Sequence, residues 1–321
     1  MRLILGILLL LLLGTFAPPR MHRPHERPAE PILRFEPLAV GQSELGRGAK
    51  AQLLGAWSLR SNHPGFGGIS AMHVAGTGVL ALSDGGAIFS FGLPDTGSVQ
   101  PLSVTAIADH PGSKTKKSSR DVEALAMHGG TIWIAFENQR AIWRYALPRL
   151  DREAGAAPRE MAQWSRKSGP EAMVRLADGR FLVFREGIGG DRKSSEVLLF
   201  GGDPAAGASA VRLGYRPPDG YRITDAALLP DGRILYLNRS FSLTRYFRAK
   251  LSVGRLHSLA EGALLEGEEI ADLGSPALAD NFEALSVTRE DGRTIIWIAS
   301  DDNFSPLQRN LLLKLALADQ A

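Results

Sequence analysis

One pattern recurs five times along the chain at intervals near fifty residues, and that period limits the fold more than any other feature. Each copy opens on a short apolar step holding a polar residue, passes a turn, and continues into runs rich in β-branched and aromatic residues. The copies begin at Ile69-Ser70-Ala71-Met72, Val122-Glu123-Ala124-Leu125, Pro170-Glu171-Ala172-Met173, Thr224-Asp225-Ala226-Ala227 and Phe282-Glu283-Ala284-Leu285. Anchored on Ser70, Glu123, Glu171, Asp225 and Glu283, the spacings are 53, 48, 54 and 58 residues, in the range of a four-stranded propeller blade.

Turn signals sit inside each copy: Gly76-Thr77-Gly78, Gly129-Gly130, Asp178-Gly179, Asp231-Gly232 and Asp291-Gly292. Such pairs between apolar runs mark hairpins. Second runs follow at 79–83, 131–136, 180–184, 233–237 and 294–299, and third runs at 87–91, 141–146, 197–200, 247–253 and 311–317. Fourth runs are expected at 98–106, 160–165, 208–213 and 268–273, but none follows the last third run. Residues 52–59 (QLLGAWSL), ahead of the first copy, supply the missing strand. Pairing it there closes the ring and leaves no long sheet edge bare. The expected fold is therefore all-β: a β-propeller of five visible four-stranded blades, the N-terminal strand closing the last, with room for a sixth, degenerate blade. An open pair of sandwiched sheets would leave the period unexplained.

Apolar residues at 44% and charged residues at 22% supply an ordinary core. With no cysteine, disulfides, thiolate catalysis and Cys-ligated zinc are excluded. The pI of 9.2 owes much to the first thirty residues, where Arg2, Arg20, Arg23 and Arg27 outnumber Glu26 and Glu30. The rest is close to neutral, so no nucleic-acid partner is expected. Met1-Arg2 followed by the apolar run 3–13 reads as a signal peptide or N-terminal anchor over 1–17. Pro18 and Pro19 work against cleavage. A Pro-rich spacer and lead-in spans 18–49 and the propeller domain 50–321. The expected location is the periplasm or outside the cell, with membrane contact only through the N-terminal segment, which if uncleaved holds the protein at the inner membrane. His22 and His25 in the spacer are not expected to bind metal.

A propeller brings equivalent repeat positions together around a central channel, so polar residues at those positions converge. One such set opens the first runs: Glu123, Glu171, Asp225 and Glu283, with Asp121 two residues ahead of Glu123, and Ser70 in the first copy. Carboxylates in a ring suit Ca²⁺, which takes six to eight oxygens; they equally suit hydrogen bonding to backbone. A second set ends the second runs: Ser83-Asp84, Glu137-Asn138, Arg185-Glu186, Asn238-Arg239 and Ser300-Asp301-Asp302-Asn303. Its mixed charge fits a cation held beside an anionic ester, or salt bridges on solvated loops. Lys114, Lys116, Lys117 and Arg120 form a basic cluster read as a solvated loop. No G-x-S-x-G elbow, H-E-x-x-H, Walker A or post-strand G-x-G-x-x-G occurs, and His63, His73, His110, His128 and His257 lack ligand spacing.

Three stretches carry a family likeness. Gly67-Gly68-Ile69-Ser70 with Leu82-Ser83-Asp84-Gly85-Gly86 is the first, and Asp121-Val122-Glu123-Ala124-Leu125-Ala126 leading to Trp133-Ile134-Ala135-Phe136-Glu137 the second. The third is Asn281-Phe282-Glu283-Ala284-Leu285 leading to Ile298-Ala299-Ser300-Asp301-Asp302-Asn303-Phe304. In this order they resemble the phytase-like domain family, described as having esterase-like activity of phytase type, over residues 50 to 317. The resemblance implies an exported propeller that hydrolyses phosphate or other esters, with Ca²⁺ the natural cofactor. The residues expected to catalyse are Asp84, Glu137, Glu186, Arg239 and Asp301, with Arg185 beside the substrate anion. Those expected to hold metal are Asp84, Glu123, Glu137, Glu283, Asp301 and Asp302. Thr224-Asp225-Ala226-Ala227 and Asn238-Arg239-Ser240-Phe241 depart from the family pattern, with Ala and Arg where Glu-Gly and acidic residues are usual. The other reading is a non-catalytic periplasmic propeller that binds a protein or small ligand at the same channel mouth.

Overall fold

The repeats become five blades of four antiparallel strands in a computed structural model that describes residues 28–113, 119–165, 168–187, 194–244 and 246–318. The N-terminal segment 1–17, His22, His25, Lys114, Lys116 and Lys117 lie outside the described residues. Two strands precede the first blade, β1 (Ile32–Pro37) and β2 (Ala51–Ser61). Blade 1 runs through β3 (Ile69–Ala75), β4 (Gly78–Ser83) and β5 (Ala87–Gly92), passes β6 (Val99–Pro101), and ends on β7 (Ser103–Ala106). Blade 2 is β8 (Val122–His128), β9 (Thr131–Phe136), β10 (Ala141–Ala146) and β11 (Asp151–Ala156). Blade 3 is β12 (Pro170–Arg175), β13 (Phe181–Arg185), β14 (Ser195–Phe200) and β15 (Ala210–Arg216). Blade 4 is β16 (Arg222–Leu228), β17 (Ile234–Ser242), β18 (Tyr246–Gly254) and, after β19 (Leu264–Glu266), β20 (Glu268–Asp272). Blade 5 is β21 (Phe282–Glu290), β22 (Arg293–Ser300), β23 (Leu311–Leu317) and β2.

The N-terminal strand closes the last blade as its sequence requires. Ala51 lies opposite Leu317 and Trp57 opposite Leu312 across β2 and β23. The innermost strands β3, β8, β12, β16 and β21 contact one another in turn, and β21 returns to β3. Five blades complete the ring; among the described residues there is no sixth. Two blades carry more than the four strands expected. In blade 5, β1 of the lead-in pairs with β2, and β6 pairs with β1. In blade 3, β19 lies parallel to β15. Both additions cover an outer edge that would otherwise present unpaired backbone groups. The expected fourth run 98–106 is thus two strands serving two blades.

The fourth strand of blade 2 is β11, not the expected 160–165, where Arg159–Met161 forms a 3-10 turn. β11 reads DREAGA and is mostly exposed. An outermost strand faces solvent, so it has no need of the apolar alternation that identifies inner strands. Met161 and Trp164 instead drop between blades 2 and 3 against Trp133, Met173 and Phe181. Burying side chains of this kind stabilises the seam by about 2 to 3 kcal/mol each. Gly129-Gly130 and Asp291-Gly292 turn with positive φ at both residues, the geometry that matches hairpin twist. Among the described residues there is no α-helix, hence none long and apolar enough to cross a membrane.

Candidate functional site

At the channel end of every innermost strand the pairing slips by one residue. Ile69 faces Ser83 and Ala71 faces Leu82, which leaves Ser70 unpaired. The same slip frees Glu123, Glu171 and Glu283 in blades 2, 3 and 5. In blade 4 it frees Thr224. A bulge re-aims the extra residue out of the ladder, so five bulges around one axis turn these side chains toward the channel.

The frame of the fourth copy therefore shifts: Thr224, not Asp225, holds the ring position. Thr224 behaves as Ser70 does. Ser70 Oγ donates to the Val122 carbonyl at 2.6 Å and Thr224 Oγ1 to the Phe282 carbonyl at 3.1 Å, each in the next blade. Asp225 stands where the other copies have Ala71, Ala124, Ala172 and Ala284. It is buried and accepts hydrogen bonds from the N–H groups of Leu285 and Ala226, both at 2.7 Å. Burial pushes its carboxyl well above the usual range. It clamps the seam between blades 4 and 5.

A second tier stands above the first. The residue at this level of each second strand is Asp84, Glu137, Glu186, Arg239 or Asp301, following Ser83, Phe136, Arg185, Asn238 and Ser300, the partners of the residues just ahead of the bulges; Arg239 lies within β17, the other four just past the strand end. In four blades its N–H is tied back to the chain leading into the first strand: Asp84 to Gly68, Glu137 to Asp121, Glu186 to Gly169 and Asp301 to Asn281, at 2.8–3.0 Å. Gly169 is required here, because a Cβ would lie 2.4 Å from Cγ of Glu137.

Three groups of carboxylates result, each with oxygens within 4.8 Å of one another: Glu123, Glu171 and Glu283; Asp121, Glu123 and Glu137; Glu137, Glu171 and Glu186. Glu137 belongs to two of them. Burial, then the Glu171 and Glu283 charges, lift Glu123 well above the usual carboxylate range. Burial, then Glu186, Glu283 and Glu137, do the same to Glu171. Burial and Asp121 raise Glu137 to about 7, against a long hydrogen bond from the Gly169 N–H at 3.4 Å. Glu186 is raised by burial, although Arg239 and Arg222 pull the other way. Arg222 stands 3.6 Å from it.

Arg239 crosses from blade 4 into this group, donating to Glu283 and to Oδ1 of Asn281. Desolvation opposes its charge, but Glu283, Glu171 and Glu186 outweigh that and hold the guanidinium above its usual range. Arg185 donates to Ser168 Oγ at 3.2 Å. Asn281 is fully buried and its Nδ2 finds no partner among the described residues.

Asp301 and Asp302 sit apart at the junction of blades 5 and 1. Asp302 accepts from the N–H groups of Gly68 and Phe304 and from Asn310 Nδ2, at 3.0, 3.1 and 2.9 Å. Asp301 accepts from the Asn303 N–H at 2.6 Å; burial, then the Glu283 and Asp84 charges, raise it well above the usual range. Asn303 and Phe304 both have positive φ, and the Phe304 ring leans on Gly68, where a Cβ would meet it at 2.7 Å. Of the residues expected to hold metal, Glu123, Glu137 and Glu283 fall in the close groups; among the described residues Asp84, Asp301 and Asp302 fall in none. Glu171, absent from that expectation, lies in two of the three. Its only sequence signal was its repeat position.

A family model described as phytase-like, with esterase-like activity of phytase, matches residues 64–304. No curated protein matches the chain. Among solved structures it is similar to an exo-1,5-α-L-arabinanase from a bovine ruminal metagenomic library, at 12% identity and TM-score 0.49, over 76% of this chain and 90% of that one. A protein of unknown function from Dyadobacter fermentans is 11% identical with TM-score 0.41, over 89% of this chain and 99% of the other. A chain of the mitotic checkpoint complex is 11% identical with TM-score 0.39, over 82% and 69%. Likenesses this distant carry nothing about chemistry.

Proposed function

This chain belongs to the phytase-like family, and on that footing we propose that it is an exported hydrolase of phosphate or other esters, acting at the channel carboxylates with a divalent cation. The observation that carries the reading is the meeting of Glu123, Glu171 and Glu283, from three blades, within 4.8 Å. Carboxylates that close do not all ionise unless a proton or a cation intervenes. The donors are all oxygen, which suits Ca²⁺ better than zinc or copper. Glu123, Glu171 and Glu283 are the residues that would hold it. Bound there, the cation would neutralise charge and polarise the ester oxygen. The apolar run behind Met1-Arg2 supports export.

The protein's own groups supply the rest. Glu137, beside that set, takes a proton from the attacking water. Water adds to the acyl carbon or phosphorus, the bond to the leaving oxygen breaks, and the alcohol departs with a proton. Arg239, held by Glu283 and Asn281, keeps a fixed positive charge beside the developing oxyanion. Glu186, Asp84 and Asp301 continue the acidic wall at the equivalent positions of blades 3, 1 and 5. The purified protein is expected to release 4-nitrophenol from 4-nitrophenyl phosphate or 4-nitrophenyl acetate in Ca²⁺ and to lose that activity on chelation. Background rates on both substrates, with and without Ca²⁺, would overturn the reading.

A further inference from the structure

Blade 4 differs from blades 1 to 3 in the length of the hairpin formed by its second and third strands. β17 and β18 each run nine residues, against five or six for the matching strands of blades 1 to 3. The extension begins at Arg239, the second-tier position, and carries Phe241, Leu243, Tyr246 and Phe247 outward from the channel mouth. Phe241 lies opposite Phe247, and the two rings are 4.9 Å apart. Arg239 and Phe241 are two residues apart on one strand, so they share a face. The Arg239 guanidinium sits 5.6 Å from the Phe247 ring while it binds Glu283. One continuous line of contacts thus runs from exposed aromatic rings to the channel carboxylates.

Exposure sharpens the picture. Phe241 is 51% exposed, Leu243 81% and Tyr246 45%, and Leu307 on the β22–β23 loop at the same end is 62% exposed. Among the described residues the other exposed large apolar ones, Leu54, Val99, Val211 and Leu264, lie on outer strands of the blades. Exposed apolar surface beside a site marks binding rather than packing. Charge argues on the same side: six carboxylates crowd the channel, Asp121, Glu123, Glu137, Glu171, Glu186 and Glu283, and the Arg239 cation already serves Glu283. A polyanion is repelled by that field even with one divalent cation present.

We infer that the blade-4 hairpin is the wall that receives the apolar part of the substrate. The preferred substrates are then esters with a medium-length acyl or an aryl group, not polyphosphorylated polyols. The inference rests on the ester-hydrolase reading. Its test compares kcat/KM in Ca²⁺ for 4-nitrophenyl acetate, 4-nitrophenyl octanoate below its micelle concentration, and inositol hexakisphosphate. The octanoyl ester should exceed the acetyl ester by on the order of tenfold. Phe241→Ala combined with Leu243→Ser should collapse that ratio toward one, and Leu54→Ser should leave it unchanged. An absent preference in the wild type, a preference that survives the double change, or faster turnover of inositol hexakisphosphate would overturn the inference. If no ester is turned over, the hydrolase reading fails by itself, and binding of the non-hydrolysable 4-nitrophenyl octyl ether then decides. Calorimetric affinity at least fivefold weaker in the double variant supports the wall; equal affinity, or no binding, overturns it.

Discussion

Two acidic clusters stand within one channel mouth and look alike in sequence, yet their surroundings give them opposite characters. Asp302 is surrounded by donors, two backbone N–H groups and the Asn310 amide; its charge holds the 301–304 turn against Gly67-Gly68. The charges that act most on Glu171 are other carboxylates, Glu186, Glu283 and Glu137, with Arg239 pulling more weakly the other way. A carboxylate that accepts N–H bonds is satisfied and structural, whereas one that faces its own kind carries unspent acceptor capacity and a repulsion that an added cation relieves. Neighbouring donors, not acidity, separate a loop clamp from a candidate ligand.

The contrast breaks most readily on activity. Glu171→Gln is expected to lower ester turnover by on the order of 10² to 10³, measured as kcat in saturating Ca²⁺, while Asp302→Asn, assayed at low temperature where it stays folded, should lose far less. Equal losses would erase the distinction. Next in size is the response to Ca²⁺ in thermal melts. A ligand at a hundred times its dissociation constant stabilises by about 2.7 kcal/mol, a shift the wild type and Asp302→Asn should both show and Glu171→Gln should lack.

Without Ca²⁺, in a chelator, the two substitutions should move stability in opposite directions. Asp302→Asn sets an amide donor against N–H donors and should cost about 1 to 3 kcal/mol in urea unfolding. Glu171→Gln removes a carboxyl that burial and its neighbours force to hold a proton in the fold and should raise stability by about 1 kcal/mol. A loss in both would mean that the glutamates, too, are structural acceptors.

The pH dependence is subtler. Glu137 titrates at about 7 in the fold, above the ordinary carboxylate range of the unfolded chain. Between those two values the native state holds a proton that the unfolded chain has released, so its contribution to stability is fully present below the ordinary range and lost as pH rises through about 7. Melts in chelator should therefore weaken from pH 5 to 8, and turnover in Ca²⁺, which needs the ionised base, should fall toward acid pH. In Asp121→Asn the pH at which the melts in chelator weaken should move lower, because the charge that, after burial, most raises Glu137 is gone.

Much of the ring was legible along the chain. The copies, their turns and the pairing of residues 52–59 with the last blade follow from period and alternation, because an inner strand packed on both faces has few other ways to be written. Outer strands escaped that logic. β11 is charged and exposed, so only its pairing with β10 identifies it as a strand. The ring position in blade 4 escaped for a different reason: Thr224 and Asp225 differ by one residue, and which of them bulges depends on hydrogen bonds to β17. Asp225, with Ala226 after it, resembles the Glu-Ala of the other copies while doing another task. Glu171 shares its position with Glu123 and Glu283, but nothing in a spacing of 48 or 112 residues states how near two side chains come.

The amino-acid sequence by itself determined the architecture and the face on which chemistry is sought, since both rest on periodic burial and on turn residues that act locally. Only the tertiary structure decided which acids meet. Carboxylates on different blades are brought within 4.8 Å by bulges whose positions are set through pairing with a neighbouring strand, and their proton affinities follow from that proximity. The same closure gave Asp302 its donors and Arg239 its partner across the seam.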